Sequence, residues 1–285
     1  MDQRIISLYD EYTHKPLSRE VFLKRLAIIT GSMAVALSVA PLLESNHAKA
    51  ATIREDDDEL ETETIAYEVN GITMYAYTAK PVKRMNLGGV IVIHENRGLN
   101  DHIKDVTRRA AKAGYIAIAP DALSETGGTP ANEDEARKLI GELNAQKNLS
   151  NFIESVKILR QRKECNRKVA CVGFCWGGGL ANQLAVNVPN LNGAVAFYGA
   201  QPKTEDVPKI KSPLLLHYAG LDDRINAGIP AYEEALKKAG VKYELIMYPG
   251  VNHAFHNDTS AARYDANAAL HAWKSTLDFF EVNLK

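Results

Sequence analysis

Residues 169–179 read VACVGFCWGGG, and the order of these eleven residues sets the fold. A β-branched apolar run ends at Gly173 and a helical pattern starts a few residues on, with Cys175 between the two glycines Gly173 and Gly177. A strand that turns directly into a helix must pass through a sharp, strained turn. Side chains two residues either side of its apex would collide with the flanking elements, so glycine is required there. The residue at the apex is pushed out beyond the carboxyl edge of the sheet, at the N-terminus of the helix.

Outward from this turn, strand and helix patterns alternate. TIAYEVNGITMYAYTA (64–79) alternates about Asn70-Gly71, a two-residue hairpin signal. GGVIVIH (88–94) is a continuous apolar run with β-branched residues, as a strand buried on both faces requires, and YIAIAP (115–120), KVACVGF (168–174), GAVAFYG (193–199), PLLLHYA (213–219) and YELIMYP (243–249) read as further strands. Helical patterns fall between them: from Asp101 to about Ala113, two over 133–163 joined near Asn148, 178–188, 229–239, and a long one to the C-terminus. This alternation predicts an α/β fold with a mostly parallel central sheet covered by helices on both faces.

Glycine–any residue–nucleophile–any residue–glycine between strand and helix is the nucleophile elbow of α/β-hydrolases, here with cysteine in place of serine. In that fold an acid and then a histidine follow the nucleophile along the chain. Asp222 follows PLLLHYA and His253 follows YELIMYP, both where strand carboxyl ends converge. Asp223 and His256 are the neighbouring alternatives. Cys175, Asp222 and His253 are the expected triad: Asp222 orients the imidazole, the imidazole shares the thiol proton, and the thiolate attacks an acyl carbon.

GFCWGG, the Asp222-x-Arg224-Ile225 turn, YPGVNHAF and HENRG together resemble the dienelactone hydrolase (carboxymethylenebutenolidase) family over roughly residues 60–285. The resemblance implies an ester- or lactone-cleaving enzyme without a cofactor. It also implies that Glu95 contacts the resting cysteine and holds or exchanges its proton. The backbone N–H groups of Trp176 and Asn96 would form the oxyanion hole. Two positions that carry arginine in the family's best-studied type are Glu125 and Asn257 here. Arg97 and Arg224 are the expected substitute clamp, and the implied substrate is an ester or lactone other than the anionic dienelactone.

The first fifty residues follow different rules. SREVFLKR (18–25) leads into the apolar run LAIITGSMAVALSVAPLL (26–43), and Ala48-Lys49-Ala50 is an A-x-A pattern. This order predicts an export signal or membrane anchor over 1–50, twin-arginine-like or Sec-type, and a periplasmic protein with possible N-terminal membrane association. Residues 51–61 read as an acidic linker before a catalytic domain spanning 62–285. A net charge of −1 over 285 residues carries no footprint for nucleic acid.

The three cysteines exclude a disulfide scaffold, and their spacing predicts no metal site. Cys171 is expected to pack inside its strand and Cys165 to lie in a charged loop. Trp176 and Tyr115 are candidates for a pocket wall. The rival classes are a non-catalytic binding protein of this fold, which predicts a blocked pocket or broken triad, and a thiol redox protein, which requires a second cysteine near Cys175.

Overall fold

The computed structural model describes residues 1–44 and 52–285. Three helices come first: α1 (Gln3–His14), α2 (Arg19–Thr30) and α3 (Met33–Leu43). The sheet strands are β1 (Leu60–Val69), β2 (Ile72–Pro81), β3 (Leu87–Ile93), β4 (Ile116–Pro120), β5 (Cys165–Phe174), β6 (Gly193–Phe197), β7 (Leu214–Ala219) and β8 (Tyr243–Tyr248). Between and after them run α4 (Asp101–Lys112), α5 (Glu133–Glu142), α6 (Ala145–Gln161), α7 (Trp176–Asn187), α8 (Asp223–Asn226), α9 (Ile229–Ala239) and α10 (Ala266–Leu284).

The eight strands form one sheet in the order β1-β2-β4-β3-β5-β6-β7-β8. β1 and β2 pair antiparallel through the hairpin at Asn70-Gly71, both with positive φ, and β2 pairs antiparallel with β4. All other pairings are parallel. β3 is buried along its whole length because helices cover both sides. Ile91 and Ile93 join the core cluster under α6, α7 and α9, whereas Val90 and Val92 join the one under α4 and α10. This is the alternation of a strand with two dry faces.

Several boundaries differ from the expected ones for local reasons. The junction of α5 and α6 is at Leu143-Asn144, because the Asn144 side chain accepts from the Lys147 N–H and caps α6. Cys165 is not in a loop: it is the first residue of β5 and is buried. Residues 60 and 61 belong to β1, and the stretch before them is fastened down. Thr52 and Ile53 donate their N–H groups to Asp105, and the Arg108 Nε donates to the Ile53 carbonyl.

The N-terminal helices form a small hydrophobic cluster of their own, including Leu8, Tyr9, Tyr12, Phe22, Leu26 and Leu43. No single described helix is long and apolar enough to cross a membrane. The pair α2 and α3 meets that length and composition only jointly, across a 112° bend. The Ala48-Lys49-Ala50 pattern lies outside the described residues.

α7 rises directly from β5 and packs against the end of β3. A Cβ on Gly173 would sit 1.9 Å from the Gly177 carbonyl oxygen. That contact is with backbone, which cannot swing away, so Gly173→Ala must open the elbow. We expect it to destabilise the fold by roughly 3 kcal/mol or more and to lower the unfolding midpoint by about 6 °C or more. An unchanged midpoint in thermal unfolding would refute this account of the turn.

Candidate active site

Cys175 sits at the apex of the elbow with φ 55° and ψ −113°, a conformation that is costly for any residue with a side chain. Its position is fixed from both sides. The Cys175 N–H donates to the Phe197 carbonyl on β6, and its own carbonyl accepts from Gly179 in the first turn of α7. Cys175 is 8% exposed and lines a cavity of about 1140 Å³.

The acid and histidine arrive as the fold order requires. Asp222 follows β7, caps α8 through Oδ1 to the Ile225 N–H, and accepts from His253 Nδ1 at 2.5 Å through Oδ2. Asp223 is exposed. His253 is 4% exposed, and its Nε2 has no hydrogen-bond partner. His256 takes no part: its ring stacks on Phe174 in the core and burial holds it neutral.

A second histidine completes the cluster, and it comes from the segment set apart as an export signal. His14, the last residue of α1, places Nε2 3.1 Å from Cys175 Sγ. Its ring lies edge-on to that of His253, centroids 4.6 Å apart. One ligand atom from each of His14, Cys175 and His253 lies within 4.8 Å of the others. Asp10, one turn earlier on α1, backs His14: Nδ1 is 2.8 Å from the Asp10 carbonyl oxygen and 3.2 Å from its Oδ1.

α1 is held in place by specific bonds. Asn96 Nδ2 donates to the Thr13 carbonyl at 2.7 Å, Tyr12 OH to Asp134 at 2.7 Å, Gln3 to Asn252 at 2.7 Å, and Arg137 to the Tyr12 carbonyl. The Arg263 guanidinium lies over the Tyr9 ring.

The charges follow from this packing. Burial alone pushes the Cys175 thiol up, but the two imidazoles outweigh it and hold the thiol at about 6. Burial disfavours a charge on His253, yet the Cys175 thiolate, Asp10 and the bond to Asp222 raise it to about 10. His14 is raised for the same reason, against its burial, by Cys175 and Asp10. Asp10 is held below the usual carboxylate range despite burial, chiefly by His253 and His14. The packing thus favours the thiolate form of Cys175 and the charged form of both imidazoles.

The remaining expected residues divide. Glu95 is buried, but no hydrogen bond joins it to Cys175 among the described residues. Its carboxylate accepts from Asn257 Nδ2 at 2.6 Å and from Tyr198 OH at 3.4 Å. His14 occupies the thiol-contacting place that the resemblance gave to Glu95. Asn257 stands at one of the substituted arginine positions and so serves to hold this carboxylate; Glu125, at the other, pairs with Lys147.

Arg97 does not line the large cavity: it borders a small one beside Cys175 and His253, and its guanidinium lies 3.4 and 3.6 Å from Glu133 and Asp134 on α5. Arg224 does line the cavity, with its Nε 3.7 Å from Asp10 Oδ2. The N–H groups of Trp176 and Asn96 have no protein acceptor among the described residues, and both residues line the cavity beside Cys175. The Asn96 loop is set by His94, whose Nδ1 bonds the Glu95 carbonyl at 2.6 Å and whose Nε2 accepts from the Ala122 N–H. The Trp176 ring stacks on His94. Tyr115 packs against Phe280, far from the cavity wall.

Cys171 is in the core cluster on the opposite face of the sheet from Cys175, its thiol pushed up by burial. It cannot act as a resolving thiol.

Sheet order, the elbow and the succession of Cys175, Asp222 and His253 after β5, β7 and β8 define an α/β-hydrolase fold with cysteine at the apex. The family model described as Dienelactone hydrolase family matches residues 74–284, and the chain belongs to that family. A Saccharolobus solfataricus protein named "Putative carboxymethylenebutenolidase" is 38% identical over 251 residues, covering 75% of this chain and 96% of that one. A Bradyrhizobium protein named "Probable 2-oxo-3-(5-oxofuran-2-ylidene)propanoate lactonase" is 32% identical, covering 78% of this chain and 97% of its own. A Methylorubrum extorquens relative, 29% identical, covers 93% of this chain and 95% of its own, so that match runs into the segment before residue 51.

Among solved structures, one titled "Putative Dienelactone Hydrolase" from Klebsiella pneumoniae superposes with a TM-score of 0.72 at 27% identity, covering 78% of this chain and 98% of that one. The chain is a carboxylic ester hydrolase of the dienelactone hydrolase family.

The electrostatic account predicts the reactivity of the thiol. With EDTA present, alkylation of Cys175 by iodoacetamide should rise with pH through a midpoint near 6, against ~8.5 for an ordinary thiol. His14→Gln should move that midpoint upward. A wild-type midpoint above 8, or one that His14→Gln leaves in place, would contradict it.

Proposed function

We propose that Cys175 is the nucleophile of a two-step hydrolysis of esters or lactones. The observation that carries this reading is the buried thiol at the elbow, set against His253 with Asp222 behind it. The Sγ–His14 contact opens as the acyl group enters, and the thiolate adds to the carbonyl carbon. The oxyanion is received by the Trp176 and Asn96 N–H groups. His253 gives its proton to the departing alkoxide as the carbon–oxygen bond breaks, leaving a thioester. Water, its proton taken by His253, then attacks the thioester; the acid departs and the thiolate returns. Asp222 keeps the imidazole in the tautomer and orientation both steps need. His14 holds the resting thiolate.

The cavity argues for the substrate class. Leu143, Leu149, Leu180, Trp176 and Ile225 form its apolar wall, and the cations that also line it, Lys15, Arg137, Lys138 and Arg224, each face a carboxylate, on Glu11, Asp134, Glu142 and Asp10 respectively. With Glu125 and Asn257 at the family's arginine positions, the pocket favours a neutral, apolar ester or lactone over a small dicarboxylate-like one.

The test is hydrolysis of a panel containing dienelactone, neutral lactones and aryl esters. Neutral members should exceed dienelactone in kcat/KM by at least ~10-fold, about 1.4 kcal/mol of transition-state binding. Cys175→Ala should abolish turnover, and Asp222→Asn should lower kcat by roughly 10²–10⁴-fold. Equal activity of Cys175→Ala, or a preference for dienelactone, would defeat the reading.

We further propose export under the direction of residues 1–50. Cleavage after Ala50 would remove His14 and Asp10 together with α1. Intact mass of the periplasmic protein therefore reads both points. The full-length mass is expected if His14 serves the mature enzyme, and a chain starting at residue 51 would exclude it from that role.

A further inference from the structure

We propose that His14, Cys175 and His253 form a three-ligand binding site for a divalent transition metal of the zinc type, assembled only when α1 is docked. This goes beyond the hydrolytic reading and does not depend on it. The sequence spacing of the cysteines gave no hint of such a site. Its ligands come from three separate places in the chain: the end of α1, the elbow, and the loop after β8.

The donor set fits the ion. One thiolate with two neutral imidazoles is a borderline-soft set that suits Zn2+ and Co2+ and leaves a fourth position for water or another ligand. Zinc binds sulfur at about 2.3 Å and imidazole nitrogen at about 2.0–2.1 Å, so two donors on one ion stand roughly 3–4 Å apart. Cys175 Sγ and His14 Nε2 are 3.1 Å apart, and one donor atom from each of the three residues lies within 4.8 Å of the others. His253 Nε2 is buried and has no hydrogen-bond partner, so it is free to complete the set.

The surroundings match too. A metal-bound histidine characteristically hands its second nitrogen to a carboxylate or carbonyl, which fixes tautomer and ring angle. Here both histidines do so. His253 Nδ1 meets Asp222 Oδ2 at 2.5 Å, and His14 Nδ1 meets the Asp10 carbonyl at 2.8 Å and its Oδ1 at 3.2 Å. The histidines elsewhere lack the thiol that completes the set: His102 bonds Asp258 and faces His256, and buried His217 and exposed His271 share Tyr248, while the one described cluster of potential ligands is that of His14, Cys175 and His253. The open fourth position would face the large cavity, which gives the ion a way in. An ion held there engages the sulfur lone pair that the hydrolytic step needs, so bound metal and ester hydrolysis exclude each other.

The experiment uses the full-length protein, stripped with EDTA and titrated with Co2+ and then with Zn2+ against a chromophoric chelator. We expect one ion per chain, a near-ultraviolet sulfur-to-cobalt charge-transfer band, and visible bands of four-coordinate cobalt. Cys175→Ser should abolish the charge-transfer band, and Cys165→Ser should leave it intact. His14→Gln should weaken Zn2+ binding by at least ~10–100-fold, and Asp10→Asn, which leaves all three ligands in place, by about 10-fold.

Absence of the charge-transfer band in the wild type would overturn the site, as would a band and affinity that His14→Gln does not change. The two proposals fail separately. Cys175-dependent hydrolysis without the cobalt band removes the metal site alone. The cobalt band with full hydrolysis by Cys175→Ala removes the nucleophile alone.

Discussion

The approach of α7 to β5 and β3 is the constraint on which the site depends. Gly173 and Gly177 let the backbone of the helix touch the backbone of two strands, with no room for a Cβ at either. Such contact is reachable only if the residue between them takes a positive φ, and Cys175 does so at a cost that the surrounding sheet sustains. Everything functional is arranged around the resulting point. The Trp176 N–H is released because it opens the helix, and the thiol projects past the sheet edge where the loops after β7 and β8 deliver Asp222 and His253.

Burying a thiol would ordinarily make it less acidic and less reactive. The protein opposes that tendency with two imidazoles rather than one, each held by a carboxylate that is itself buried or capped. Charges of opposite sign alternate from Asp222 through His253 and Cys175 to His14 and Asp10. Removing any inner member leaves a buried charge facing its own sign or nothing. The same closeness that stabilises the thiolate is what makes these three donor atoms fit around a single cation.

Much of this arrangement was legible in the sequence, because it is local. The hairpin at Asn70-Gly71, the doubly buried run of β3, the glycines about Cys175, and the positions of Asp222 and His253 after successive strands each follow from a short stretch with one physical reading. His253 was separable from His256 by the strand turn it directly follows, whereas the strand end suited Asp222 and Asp223 alike and only the Asp222-x-x-Ile225 pattern of the resemblance chose between them. What could not be read was long-range docking. Asp10 and His14, one helical turn apart, are a local signal of a backed histidine, but only the packing of α1 through Asn96, Asp134 and Arg137 brings that pair to the elbow. The basic and apolar stretch after residue 18 drew attention to export and away from the helix before it. Glu95 is another case of long-range packing: its carboxylate accepts from Asn257 and Tyr198 rather than contacting the thiol.

The most direct test of the central claim is to look for the covalent bond at Cys175. A slowly deacylating aryl ester mixed with the full-length enzyme, acid-quenched within one turnover and digested, should yield a peptide containing Cys175 heavier by the mass of the acyl group, labile to hydroxylamine as a thioester is. The adduct should be absent from Cys175→Ala. An acyl group found on a serine, or product formed at the full rate with no adduct on Cys175 at any time, would contradict the account.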